Sequence, residues 1–425
     1  MQADRKLFTL VSVLIGLSVV LSYTLSTYVT LLFHVSEFHF VIRQSVFAFL
    51  GVTIIYALSV LDPDKHLKPL GFTLLGVSTL LMIAMPFLPE SIVSAVGGAK
   101  RWIKVAGFSL APVEFFKIGF IYFLAWSFSR KLGDHGNKGL KHEFKRFMPY
   151  AIIFFGAIFV IAFLQKDLGQ IIVLGMTMLF MLMFAGSSFR FFLVILLSAI
   201  LSFIVLIFSK EHRIERVKSW WALAQNTVLE LFPDSIADKL RVPTEVEPYQ
   251  IMHSLNAIHN GGLFGVGLAD GTYKLGFLSE VHTDFVLAGL AEEFGFFGVA
   301  FVVIVFLWML QRIFKIANRT EDRSIYLFSL GIGLMLSFEF LVNAYGISGI
   351  TPIKGISVPF LSYGGSAMLG SAVGVGMVLM TSKKAQMQTS VDKEKVLKEL
   401  GCEDEDLETI QESNEESQSE NKEKA

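Results

Sequence analysis

Long apolar runs alternate with short polar joints along most of this chain. Ten of them approach or exceed ~18 residues, enough to cross a bilayer as a helix. They fall roughly at 7–26, 38–61, 69–88, 110–129, 148–165, 168–186, 189–208, 284–310, 325–346 and 364–382. A backbone in lipid must satisfy its own hydrogen bonds, so each run predicts a helix. The expected fold class is an all-α polytopic membrane protein with about ten transmembrane helices. The first run follows a charged head (MQADRK) without a small-residue cleavage site, and so reads as an uncleaved span. One long joint, about 209–283, precedes the eighth helix, and its paired Trp220 and Trp221 favour the membrane interface. Residues 1–384 form the expected transmembrane domain. Residues 385–425 turn acidic and lose apolar periodicity, which predicts a disordered tail after a short helix over 391–400.

The distribution of cations orients these spans. Arg5 and Lys6, Lys65 and Lys68, the cluster from Arg130 to Arg146, Arg190, the group from Arg312 to Arg323, and Lys383 with Lys384 all fall on one side. The positive-inside bias makes that side cytoplasmic and places both termini there. The short outer joints carry fewer cations: Lys100, Arg101 and Lys104 in one loop, then Lys166 and Lys354. Composition agrees with the membrane class, at 53% hydrophobic residues with 41 Phe. A net charge of −1 identifies no partner, and nothing points to nucleic acid. The single cysteine, Cys402, excludes an intramolecular disulfide and a cysteine metal cluster.

Candidate chemistry gathers in four outer-facing stretches. In GGAKRWIKVAGFSLAPVEFFK, Pro112 suits a first helical turn and Glu114 and Lys117 are i,i+3 neighbours, either an ion pair or a polar cavity wall. In QKDLGQ, Asp167 suits an N-cap. From His259 to Gly298, a glycine-studded segment leads through Lys274, Glu280 and His282 to Asp284 at the mouth of an apolar helix. A carboxylate there is costly and suggests function. Thr283 is the expected N-cap, with Asp284 in the first helical turn. Ala288, Ala291 and Gly295 follow on one stripe, which serves helix packing or leaves room for a substrate. No GxxxxGK[ST] loop is present. The fourth stretch, NAYGISGITPIKGISVPFLSYGGSA, has the irregular composition of backbone lining a cavity.

These motifs, in order over about residues 10–382, resemble the SEDS family of cell-wall synthases (FtsW, RodA and the sporulation homologue SpoVE). The family's GAxRWI…QPSExxK is similar to Gly98–Ile103 with Pro112–Lys117, its QPDLGT to Gln165–Gln170, its LPExHTDF…AEExG to Leu278–Phe285 with Ala291–Gly295, and its LPFxSYGGSS to Val358–Ser366. Ala111, Val113, Lys166, Gln170 and Ser279 depart from those patterns. Thr351–Gly355 is more like the division branch than the elongation branch.

The resemblance implies a peptidoglycan glycosyltransferase that polymerises lipid II during septal synthesis and releases undecaprenyl pyrophosphate with inversion. Asp284 is the implied catalytic carboxylate, a general base for the attacking 4-hydroxyl. Arg101, Lys117 and Lys274 are candidate cations for the pyrophosphate, with Lys100 and Lys104 behind them. Glu114, His282 and Ser362 complete the expected substrate-contacting set. A divalent cation (Mg or Mn) is left open as a helper, with no dedicated cage in the sequence. The implied partners are a class B penicillin-binding transpeptidase (FtsI-like) and other divisome proteins, in the bacterial inner membrane at the septum. Alternatives are an elongation polymerase, a non-catalytic scaffold, and a lipid II flippase using the deep carboxylates Glu292, Glu293 and Glu339. An ion-coupled transporter fits less well, since the polar motifs sit at one face rather than midplane.

Overall fold

In the computed structural model, residues 3–399 are described except 33, 35, 97–98, 106–107, 132–138, 210, 231, 243–248 and 279. The acidic segment 400–425 with Cys402, and Ser279, therefore lie outside the described residues. Helix α1 (Arg5–Thr24) starts where the Asp4 carboxylate accepts the Leu7 N–H. After the short α2 (Thr27–Leu32) come α3 (His39–Val60) and α4 (Pro63–Ala84), the latter with Asp62 as N-cap and Pro63 in its first turn. Three strands follow: β1 (Val93–Val96), β2 (Ala99–Val105) and β3 (Phe108–Leu110). Helix α5 spans Pro112–Lys131, α6 Leu140–Phe159 with a π turn to Leu164, α7 Leu168–Phe184 and α8 Phe189–Phe208. Then come α9 (Glu211–Leu229), α10 (Asp234–Leu240), α11 (Tyr249–Gly261), α12 (Val286–Asn318), α13 (Arg323–Ile347) and α14 (Gly365–Glu399).

Each of the ten apolar runs is a helix: α1, α3 to α8 and α12 to α14. Eight of these are long and apolar enough to cross a membrane. The other two are α7, apolar but 17 residues long, and α5, which carries Glu114, Lys117, Arg130 and Lys131. Glu114 and Lys117 are tolerated because α5 lies at the centre of the bundle, against α4, α7, α13 and α14, while Arg130 and Lys131 are exposed in its last turn. The outer helices keep large apolar side chains exposed, as a lipid-facing surface requires: Leu197, Leu201 and Val205 on α8, and Phe301, Ile304 and Leu307 on α12.

Four features depart from the sequence expectation. The first is the antiparallel sheet β1-β2-β3, where a loop was expected. Its pairs run Val93↔Ile103 and Ile103↔Leu110 about the central β2. Second, the long joint before α12 is largely helical, holding α9 to α11. Third, the short helix expected at 391–400 is the far end of the continuous α14. The fourth lies within α12, which breaks at Gly295 (φ 65°, ψ −164°). The break frees backbone groups on both sides, and the glycine-rich 262–267 loop takes them up. Val266 and Gly267 donate to the Glu292 and Glu293 carbonyls (3.0 and 3.2 Å), while Phe296 and Phe297 donate to Gly262 and Leu263 (2.9 and 3.2 Å). Irregular backbone at membrane depth needs such a protein partner.

At the opposite end of the bundle, Asp4 pairs with Arg312 and its N–H donates to the Ser382 hydroxyl (3.1 Å). This joins α1, α12 and α14.

Candidate active site

A cleft of about 1490 Å³ opens where β2, β3, the start of α7, the segment 352–358 and α9 converge. Asp284 lies in its wall. The turn that carries Asp284 is built from its own sequence. Thr283 and Phe285 both donate backbone N–H groups to the Glu280 carbonyl, and the Thr283 hydroxyl donates to the Glu280 carboxylate (2.8 Å). Thr283 therefore closes the turn on Glu280 and does not cap α12. Phe285 occupies the N-cap position, so Asp284 precedes the helix instead of sitting in its first turn.

Remote segments hold this turn from behind. The Ser362 hydroxyl donates to the Thr283 carbonyl (2.6 Å) and accepts the Val358 N–H (2.8 Å). The Tyr363 N–H donates to the His282 carbonyl (2.8 Å), and the Asn343 amide donates to the Asp284 carbonyl (2.7 Å). Burial pushes the Asp284 carboxyl up to about 7, reinforced by the negative charges of Glu280 and Asp167 and opposed by Arg101. In front of it stands Gly355 at φ 59°, where an added Cβ would lie 2.9 Å from Asp284 Oδ2. Only glycine combines that backbone with that clearance.

The cations expected around the carboxylate divide into two groups. Arg101 reaches the cleft as a clamp on the turn before α7. It donates to the Gln165 and Lys166 carbonyls (2.7 Å each) and lies 3.7 Å from Asp167. Lys166 has φ 55°, a conformation closed to the proline of the family pattern. Asp167 caps α7 through the Gln170 N–H, as its sequence position suggests, and burial raises its pKa against the influence of Arg101.

Lys117 and Lys274 lie outside the cleft lining. Lys117 is buried between Glu114 (2.7 Å) and Glu339. Its charge is committed to two carboxylates, and only Glu114 of the three also lines the cleft. Gln170 donates to the other Glu114 oxygen (3.1 Å). Lys274 is buried with Glu293 (2.7 Å), where it fastens the 262–278 loop to α12. Lys100 closes the end of α4 by donating to the Pro86 and Leu88 carbonyls (3.2 and 2.7 Å), and Lys104 donates to Glu90. His282 is buried between the rings of Phe40 and Tyr363, which lowers its pKa, and Ser362 is buried behind the turn.

The stripe below Asp284 serves packing. Ala288 and Ala291 are buried, and Gly261 of α11 closes on the Ala291 carbonyl. The deep carboxylates are likewise occupied. Glu292 accepts from Asn260 and from the Thr272 and Tyr273 N–H groups.

Other cations line the cleft instead: Arg43, Arg213, Lys218 and Lys354, with Lys166. Arg43 hydrogen-bonds the Tyr363 phenol, and Lys354 lies 5.8 Å from the Phe203 ring. An arginine inside the second apolar run was a readable signal for Arg43. Arg213 and Lys218 gave none, because only the fold brings α9 over the cleft. Its Trp220 anchors it there by donating to the Gly349 carbonyl (2.8 Å). Among the described residues no three metal-type side chains form a common ligand set.

The comparisons agree with this architecture. The model of the FtsW/RodA/SpoVE family, described as cell cycle protein, matches residues 4–387. A relative from Helicobacter pylori (strain 26695), named "Probable peptidoglycan glycosyltransferase FtsW", is 49% identical over 384 residues, covering 90% of this chain and 99% of the relative. One of the same name from Geobacter sp. (strain M18) is 32% identical over 82% of this chain and 88% of the relative. Among solved structures, a chain from a work on "structural coordination of polymerization and crosslinking by a peptidoglycan synthase complex" superposes with a TM-score of 0.66 at 23% identity, covering 90% of this chain and 98% of that one. The rod shape determining protein RodA of Thermus thermophilus gives 0.60 at 22% identity, over 90% and 97%. With its family match across nearly all the described residues and its multi-pass helical architecture, the chain belongs to the FtsW/RodA/SpoVE family of cell cycle proteins.

Proposed function

We propose that this chain is a peptidoglycan glycosyltransferase of the bacterial inner membrane that polymerises lipid II, with Asp284 as general base. The observation that carries this reading is Asp284 itself: a partly buried carboxylate, raised to about 7, in a cleft lined by several cations. A base with that pKa is about half ionised near neutral pH and basic enough to accept a proton.

The Asp284 carboxylate takes the proton of the acceptor sugar's 4-hydroxyl. The freed oxygen attacks C1 of the donor sugar. The C1–oxygen bond to pyrophosphate breaks, and undecaprenyl pyrophosphate leaves with the electron pair. Arg43, Arg101, Lys166, Arg213, Lys218 and Lys354 line the cleft and place positive charge around the departing pyrophosphate.

The relatives' names support the activity, and a division role with an FtsI-like transpeptidase follows from the same resemblance. The site side then faces outward, toward the assembling wall. The flippase alternative draws no support from Glu292, Glu293 and Glu339, each held by protein partners.

The test is lipid II polymerisation by the purified full-length protein with its transpeptidase. Asp284→Asn should lower the rate by about 10²–10⁴-fold while the protein stays folded. Glycan chains made at the wild-type rate would overturn the assignment.

A further inference from the structure

Asn343 sits one turn from the end of α13, in an apolar stretch, and is 5% exposed. Its side-chain nitrogen makes two hydrogen bonds, to the Asp284 carbonyl at 2.7 Å and the Ile356 carbonyl at 2.6 Å. Both partners are carbonyls, so only the NH2 face of the amide can point at them, and the side-chain orientation is fixed by chemistry. The amide oxygen has no partner among the described residues. Its two donated bonds are therefore the side chain's hydrogen bonds among the described residues.

Those bonds join two segments that must keep register. One carries Asp284. The other is the segment 352–358, whose Gly355 stands directly before the Asp284 carboxylate. We propose that Asn343 is a positioning residue for sugar transfer, setting the distance between the Asp284 turn and the Gly355 segment so that the carboxylate faces the cleft. The proposal rests on Asp284 being the base. It places the control of that base on α13, a buried scaffold helix, where a side chain is held more firmly than on a loop. The charged groups that act on Asp284 from the neighbouring elements are Glu280 in its own turn, Asp167 at the start of α7 and Arg101 on β2. Lys354 flanks Gly355 on the facing segment, and Arg43 reaches the site through Tyr363. None of them needs to change for Asn343 to act.

Asn343→Leu keeps the approximate volume and removes both donors. In the polymerisation assay with the full-length protein and its transpeptidase, kcat should fall about tenfold or more, because a small misplacement of a reacting group is costly. KM for lipid II should stay within about threefold, since the substrate contacts remain. A looser turn exposes Asp284 to water, so the acidic limb of the rate profile should move down by about one pH unit. A residue with a merely structural role would lower the amount of folded enzyme and leave that limb in place. Folded Asn343→Leu protein with wild-type kcat and an unmoved limb would overturn the proposal.

Asp284→Asn in the same assay separates the two readings. If that variant is active, the base assignment fails and the positioning role fails with it. If it is inactive while Asn343→Leu behaves as wild type, only the positioning role fails. Should Asn343→Leu not fold, Gly355→Ala decides from the exposed side of the same register. Its Cβ should displace the carboxylate and lower kcat about tenfold with KM little changed, and wild-type kcat would overturn the proposal.

Discussion

Asp284 is held between two environments. Water in the cleft favours its ionised form, while the protein around it favours the neutral one. Its raised pKa has a consequence for stability as well as for rate. A carboxyl whose folded pKa lies above its unfolded value binds a proton more tightly when folded. The associated stabilisation is present at low pH and is lost as pH rises through about 7. Asp284→Asn removes that penalty. At pH 8 the variant should melt above the wild type by about 2 °C or more, and the gap should shrink as pH falls below about 7 and close only below about 4, the unfolded value. The acidic limb of wild-type activity should fall near pH 7 for the same reason. At this scale the sequence was informative about Asp284, whose cost at a helix mouth is visible in one dimension. It was misleading about Lys117 and Lys274. The Glu114 partner of Lys117 is legible at i,i+3 spacing, but its second carboxylate, Glu339, lies 222 positions away, and Lys274 finds Glu293 on another element. Asn343 shows the same limit, since both of its carbonyl partners come from segments outside α13.

Among the elements, the break in α12 is the clearest case of a residue dictating architecture. At Gly295 an added Cβ would lie 2.3 Å from the Gly265 nitrogen, and φ is positive. Gly295→Ala should therefore destabilise the protein by about 2 kcal/mol or more, read as a lower melting temperature. The Lys274–Glu293 pair fastens the same loop. Lys274→Met leaves a buried carboxylate alone and should cost about 3–5 kcal/mol, whereas Lys274→Met with Glu293→Gln should cost distinctly less. A double-mutant cycle on melting temperature checks this. Apolar length located the ten long helices, because the bilayer imposes a simple rule. The sheet was harder to see. Its strands have three to seven residues, too few for a reliable alternation, and a Gly-Gly and an Ala-Gly pair were the remaining hint of turns. The break in α12 was hidden because Gly295 fits a small-residue packing stripe equally well.

For the whole molecule, the proposed orientation makes a labelling prediction. Cys402 is the only native thiol, so Cys402→Ser provides a clean background. Glu230→Cys, just after α9, should react with an impermeant maleimide on intact spheroplasts. Glu321→Cys, between α12 and α13, should react only after permeabilisation. The reverse pattern would invert the topology. The last helix adds a mechanical point. Helix α14 begins at the lip of the cleft, where Gly365, Ser366 and Ala367 line it, and runs through the bundle past the Asp4–Arg312–Ser382 clasp to Glu399. Its 35 residues make a rod of roughly 52 Å with no proline to bend it. An α-helix is hard to stretch, so axial load applied near Glu399 is delivered to the cleft lip as displacement. The clasp ties that rod to α1 and α12, so such a load is shared with both helices.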